Sequence, residues 1–123
     1  MSETTEAAVA KPSAVRDIDW RSWSEHIARP RTAVLLGFLS CPPCHDYKAA
    51  LSALPSEAVA GWDLAVCNLP PREGLKMVEE GVIREIPTLI VVGSAGRRGR
   101  VSGQRGDRTA LGQDIARMLS TLG

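Results

Sequence analysis

An apolar stretch that ends at a pair of cysteines constrains the fold of this chain more than any other feature. Residues 32–39 read Thr-Ala-Val-Leu-Leu-Gly-Phe-Leu, and Ser40 and the sequence Cys41-Pro42-Pro43-Cys44 follow directly. The run is too short to span a membrane, and it lacks the strict alternation of a half-exposed strand. It is typical of a strand buried on both faces in the middle of an α/β sheet.

The cysteine pair falls where this strand ends and a predicted helix begins. Pro43 suits the first helical turn, where a missing N–H group costs nothing. Unpaired N–H groups and the helix dipole favour an anion at such a point. The thiolate is both an anion and the reactive form of cysteine, so the position predicts a reactive thiol.

A second segment, residues 85–92, reads Glu-Ile-Pro-Thr-Leu-Ile-Val-Val and places a proline before another apolar run. Together the two segments resemble those of thioredoxin-fold disulfide oxidoreductases, and the resemblance extends over residues 14–122. It implies an α/β thioredoxin fold, in which helices flank a central mixed β-sheet on both faces. It also implies that the Ile86–Pro87 bond is cis and that the backbone at Ile86 and Pro87 holds an extended partner chain.

The same resemblance implies a role for each cysteine. Cys41 is expected to be the exposed, attacking residue, and Cys44 the more buried one that resolves a mixed disulfide with a protein partner. Pro42 and Pro43 would stiffen the loop between them, and the N–H group of Cys44 is the expected donor to the Cys41 thiolate. His45 and Lys48 are the nearest cationic candidates, of which His45 directly follows the motif.

Two departures from the thioredoxin pattern favour a specialised protein. Ser40 replaces the usual tryptophan before the first cysteine, and Leu35 replaces a buried aspartate that is thought to accept the proton of the second cysteine. Val66 stands where the lysine partner of that aspartate is expected. Release of the mixed disulfide is therefore predicted to be slow near neutral pH, unless water or another side chain substitutes. The alternative function is a thioredoxin-fold binding or assembly module with little or no redox turnover.

The composition fits one small globular domain without a cofactor. The chain has 123 residues, a formal net charge of +1 and a hydrophobic content of 44%, so it can bury a core and offers no broad attraction for nucleic acid or membrane. The expected partners are proteins with disulfides or thiols and a reductant or oxidant that recycles the pair. Cys67 is predicted to be a small buried hydrophobe, and the cysteine spacing lacks the second half of a zinc site.

Residues 1–13 are predicted to be a disordered tail, and residues 14–123 the thioredoxin-like domain. The first residues are acidic and lack the apolar core of a signal peptide, which favours a cytoplasmic location. His26 is expected on the surface, and Trp20 and Trp23 are expected to be core or half-buried packing residues. Arg97, Arg98 and Arg100 are expected on a solvated edge hairpin. The predicted elements are a strand at 14–18, helices at 20–28 and from the cysteines to Pro55, a strand at 62–68, a helix at 72–80, strands at 88–92 and 97–102, and a last helix capped by Asp107.

Overall fold

The computed structural model describes residues 15–103 and 107–123, so the predicted tail lies outside the described part. In chain order, its regular elements are β1 (Arg16–Asp17), a 3₁₀ helix (Trp20–Ser22), α1 (Trp23–His26), β2 (Thr32–Gly37), α2 (Pro42–Ser52), α3 (Ser56–Val59), β3 (Asp63–Asn68), α4 (Pro71–Glu79), β4 (Thr88–Val92), β5 (Arg98–Ser102) and α5 (Arg108–Leu122).

The five strands form one sheet in the order β1-β3-β2-β4-β5. β3 runs parallel to both β1 and β2, whereas β4 runs antiparallel to β2 and to β5. The sheet is therefore mixed, as expected. Within the described residues, no helix is long and apolar enough to cross a membrane.

The central strand β2 divides the core into two layers. All six of its residues are buried, and successive side chains point to opposite faces of a strand. Leu35 packs with residues of α2 and α5 on one face, while Val34 and Leu36 pack with residues of α1 and α4 on the other. Helices thus cover both faces, which confirms the predicted architecture.

The neighbouring strand β3 shows the same division. Leu64 and Val66 join the layer below α2 and α5, and Ala65 and Cys67 join the opposite layer. Both assignments agree with the alternation in the sequence. The side chains of Trp20 and Trp23 are partly buried against the second layer, as expected for packing residues.

The prediction that His26 lies on the surface is wrong. Its side chain is 5% exposed, and Nε2 lies 3.1 Å from the backbone oxygens of both Ala33 and Asp63. Because both oxygens can only accept hydrogen bonds, Nε2 carries the proton. The ring therefore fastens α1, which ends at His26 rather than near Ala28, to the starts of β2 and β3.

Asp63 adds a second fastening at the same end of the sheet. Its carboxylate accepts hydrogen bonds from Arg16 on β1 at 2.9 and 3.1 Å and from Arg29 at 3.1 Å. These bonds hold the pKa of Asp63 below its ordinary value, against the opposing effect of partial burial. β1 and the turn before β2 are thus tied to β3 by charge as well as by backbone pairing.

Other predicted boundaries shift by a few residues. α2 ends at Ser52 rather than at Pro55, since the residue before a proline is disfavoured in a helix. The short helix α3 follows and was not predicted. β5 forms one edge of the sheet, and the side chains of Arg98 and Arg100 are exposed there, in agreement with the predicted edge hairpin.

Candidate active site

The cysteine pair lies at the amino-terminal end of α2. Cys41 is the N-cap residue, and the two prolines occupy the first two helical positions, where no helical N–H partner is required. The backbone N–H group of Cys44 donates to Cys41 Sγ at 3.2 Å. This is the donor that the sequence left for the first sulfur once Pro42 and Pro43 had removed two others.

Cys41 and Cys44 form a disulfide, with their Cα atoms 5.1 Å apart. Cys41 is partly exposed, whereas Cys44 is only 5% exposed. The difference arises because Cys41 precedes the helix while Cys44 lies on its first turn, against the sheet. Of the two cysteines, Cys41 is therefore the more accessible to solvent.

Two backbone features hold the sulfur of Cys44. The N–H group of Phe38 donates to Cys44 Sγ at 3.4 Å. A Cβ atom at Gly37 would lie 2.9 Å from that sulfur, so only glycine allows the strand to approach the disulfide this closely. The sequence carried a signal for this contact, because a glycine inside an apolar strand often marks a close backbone approach.

A small cavity of about 10 Å³ lies beside Cys44, too small for anything larger than a water molecule. Leu35 and Val66 form an apolar wall of this cavity, and their Cα atoms are partners in the pairing of β2 with β3. His45 and Lys48 line it from α2. Lys48 was named in the sequence only as a nearby cation, and the structure adds its place beside Cys44.

His45 is exposed, and its ring makes a hydrogen bond to the backbone. Nε2 lies 2.8 Å from the oxygen of Leu39, to which it donates. The bond joins α2 to the loop that precedes Cys41. The histidine therefore supports that loop through a carbonyl group, and this bond engages one of its two ring nitrogens.

The Ile86–Pro87 peptide bond is cis, as the resemblance implies. Pro87 is buried, and the next residue, Thr88, is the Cα partner of Leu36 near the end of β2. Pro87 thus lies beside the carboxyl end of the strand from which the chain continues to Cys41. The hydroxyl of Thr88 donates to the backbone oxygen of Glu85 and closes the turn before β4.

Helix α4 contributes an apolar surface near this end of the sheet. Gly74 lies against the rings and methyl groups of Phe38 and Ile86, so closely that a Cβ atom would overlap them. Leu39 and Leu75, which follow Phe38 and Gly74 in the chain, are 66% and 60% exposed. Among the described residues they are the large hydrophobic side chains that stand out into solvent, and the sequence did not single them out.

Cys67, the third cysteine, is fully buried in β3. Burial, together with the charges of Asp19 and Asp17, raises the pKa of its thiol to about 12. This confirms its predicted role as a small core residue. Within the described residues, no group of three or more His, Cys, Asp or Glu side chains is arranged to hold a metal ion.

The fold and this cysteine pair can now be compared with known proteins. No protein-family model matches the sequence, and no curated protein does. Three similar solved structures are a thioredoxin from Malassezia sympodialis, a thioredoxin from Trypanosoma brucei brucei and chloroplastic thioredoxin z, with TM-scores of 0.61, 0.61 and 0.62. The Malassezia protein is 18% identical to this chain, and the match covers 92% of this chain and 96% of that protein. For the Trypanosoma protein the identity is 17% and the coverages are 90% and 96%. For thioredoxin z the identity is 18% and the coverages are 87% and 95%.

These likenesses show that the chain has a thioredoxin fold. They extend over 87–92% of the chain, which agrees with the range that the two sequence motifs implied. At this level of identity they describe the backbone and not the chemistry. The chemical argument therefore depends on what surrounds the two sulfurs.

Proposed function

We propose that the protein is a thiol–disulfide oxidoreductase that acts on protein partners through Cys41 and Cys44. The observation that carries this proposal is the difference between the two sulfurs. Cys41 is partly exposed at a helix N-cap and accepts the N–H group of Cys44 at 3.2 Å, while Cys44 is buried behind it. An accessible thiol with a hydrogen-bond donor and a helix dipole is suited to ionise and attack.

In the reduced protein, the Cys41 thiolate attacks one sulfur of a partner disulfide. The partner's S–S bond breaks, a mixed disulfide forms, and the released partner thiolate takes up a proton. The Cys44 thiolate then attacks Cys41 Sγ, so that the Cys41–Cys44 disulfide forms and the partner leaves with two thiols. Two electrons pass to the partner, and an external dithiol reductant returns them to the protein.

The surface around Cys41 supports binding of an extended, partly apolar segment. The resemblance assigns the backbone at Ile86 and Pro87 to hold such a segment, and Pro87 lies beside the end of β2. Leu39, two residues before Cys41, offers exposed apolar area, and so does Leu75, which follows the glycine of α4 that contacts Phe38. Removing that area from water on docking stabilises the encounter in proportion to the surface buried.

The proposal is tested by trapping the mixed disulfide. Reduced Cys44→Ser protein is mixed with oxidised insulin, and the products are analysed by mass spectrometry without reductant. We expect a covalent adduct at Cys41, because the variant lacks the thiol that would release it. Cys41→Ser and Cys67→Ser, each introduced into the Cys44→Ser background, are the matched controls. The adduct should persist with Cys67→Ser and disappear with Cys41→Ser. Equal adducts with Cys41→Ser would contradict the assignment.

The competing function is a binding or assembly module that retains the fold without redox turnover. The apolar wall of Leu35 and Val66 favours it, because it removes the carboxylate that would accept the proton of Cys44. A module of this kind would bind partners through the same surface but form no adduct at Cys41. The cytoplasmic location stays a prediction from the sequence.

A further inference from the structure

The cavity beside Cys44 is lined by basic and uncharged groups. His45 and Lys48 are its titratable neighbours from α2, Asn68 is its polar neighbour from β3, and no carboxylate is among the described residues that line it. Asp46 instead forms an ion pair with Arg108 on α5, with Oδ1 3.0 Å from the guanidinium nitrogen. Glu85, before the cis proline, accepts from Ser102 Oγ at 3.2 Å. The electrostatic surroundings of Cys44 therefore favour negative charge on its sulfur.

Lys48 is better placed than His45 to act on this sulfur. It follows Cys44 by four residues on α2, and residues four apart lie on the same helix face. Side chains on a helix lean toward its amino terminus, so that of Lys48 leans toward Cys44. His45 instead donates Nε2 to the oxygen of Leu39 at 2.8 Å. Lys48 is also half-buried, which weakens solvent screening of its charge.

We propose that Lys48 is a positioning residue that stabilises the thiolate of Cys44 and so replaces, by a cation, the missing proton-accepting carboxylate. The proposal rests on the proposed function, because it concerns the step that resolves the mixed disulfide. In that step the proton of Cys44 passes to solvent, Cys44 Sγ bonds to Cys41 Sγ, and the Cys41–partner bond breaks as the partner thiolate leaves. The N–H group of Phe38, 3.4 Å from the sulfur, supports the same anion.

The test measures the ionisation of Cys44 directly. Cys41→Ser leaves Cys44 as the thiol that titrates in the accessible range, since burial raises the pKa of Cys67 to about 12. Thiolate absorbance is followed against pH in this background with Lys48, Lys48→Met and Lys48→Arg. An opposite charge nearby lowers a thiol pKa by roughly one to three units, so we expect Lys48→Met to raise the pKa of Cys44 by about one unit and Lys48→Arg to restore most of it.

Lys76→Met, which removes an exposed lysine from α4, is the matched control and should leave the titration unchanged. Lys48→Gln serves if the methionine variant fails to fold. A Cys44 pKa that does not respond to Lys48→Met, or responds equally to Lys76→Met, would overturn the proposal. The titration needs no partner protein, so its failure differs from failure of the proposed function, which the trapping experiment reports.

Discussion

Leu35 on β2 and Val66 on β3 are Cα partners in the parallel pairing of the two strands, and both line the cavity beside Cys44. Both side chains are buried. This apolar pair occupies the positions where the resemblance led us to expect an aspartate and a lysine. The Cys44 sulfur therefore lies beside two side chains that can neither accept nor donate a proton.

Replacing Leu35 by aspartate should raise the rate of disulfide reduction near neutral pH, because a carboxylate there can accept the proton of Cys44. The same change should lower the free energy of unfolding by about 1–3 kcal/mol, the cost of burying a polar group without assured partners. The measurements are reduction rate against pH and urea unfolding for both proteins.

Leu35→Asn is the control for this change, since it has the burial cost but not the base. It should lose stability without gaining rate. A natural protein whose rate does not rise toward alkaline pH would show that another group accepts the proton. An asparagine variant as fast as the aspartate variant would show that the gain does not come from a carboxylate at position 35.

Alkylation of the reduced protein near neutral pH should modify Cys41 first. Cys41 is partly exposed and receives a hydrogen bond at its sulfur, whereas Cys67 is fully buried and its pKa is raised to about 12. Peptide mapping by mass spectrometry after short exposure to iodoacetamide checks the order. Earlier labelling of Cys44 or Cys67 would reverse the assignment of the attacking residue.

The ion pairs of Asp63 predict a loss of stability in acid. Arg16 and Arg29 hold the pKa of this carboxyl below its ordinary value. A carboxyl with a lowered pKa in the folded state stabilises the protein above its unfolded pKa, and this contribution is lost as the pH falls through the lower folded value. Near neutral pH, Asp63→Asn should therefore cost about 1 kcal/mol, the upper end for partly exposed pairs.

Urea unfolding of both proteins between neutral pH and strong acid measures this effect. The difference between them should shrink once the pH falls below about 4, where the unfolded carboxyl is protonated. A constant difference across this range would mean that Asp63→Asn destabilises the protein for a reason other than loss of the carboxylate charge.

Truncating His26 should destabilise the fold although the residue is distant in sequence from the cysteines. His26→Ala removes the hydrogen bonds to the oxygens of Ala33 and Asp63, and the expected cost is about 1–3 kcal/mol. His45→Ala is the matched control, because that ring is exposed, and it should cost less. Thermal or urea unfolding compares the two, and an equal cost would contradict the structural role of His26.

Patterns that repeat along the chain predicted the fold well. The uninterrupted apolar run of β2 predicted a strand that is buried on both faces. In β3, the side chains of Leu64, Ala65, Val66 and Cys67 lie alternately on the two faces of the sheet, as the period of a strand predicts. The cysteine pair and the proline before β4 predicted the candidate site, because each is typical of one local backbone geometry: a helix amino terminus and a cis peptide bond. These features are local, so a single sequence carries them.

Contacts between distant segments could not be predicted in the same way. His26 is buried because a short helix happens to place it over the starts of two strands, and nothing near it in the chain indicates those carbonyl oxygens. Position 74 requires glycine because the side chains of Phe38 and Ile86 leave no room for a Cβ atom. The place of Lys48 beside Cys44 likewise depends on the side chains of β2 and β3, which come from other parts of the chain.

The central claim is that the Cys41–Cys44 pair turns over protein disulfides, and reduction of insulin by a dithiol tests it most directly. The natural protein should accelerate the reaction over the uncatalysed rate, Cys67→Ser should do so equally, and Cys41→Ser should not. The rate of the natural protein should rise as the pH is raised from neutral, because Cys44 must lose its proton to solvent: Lys48 stabilises the thiolate but accepts no proton. No acceleration at any pH by the folded natural protein would contradict the account and leave the binding module as its function.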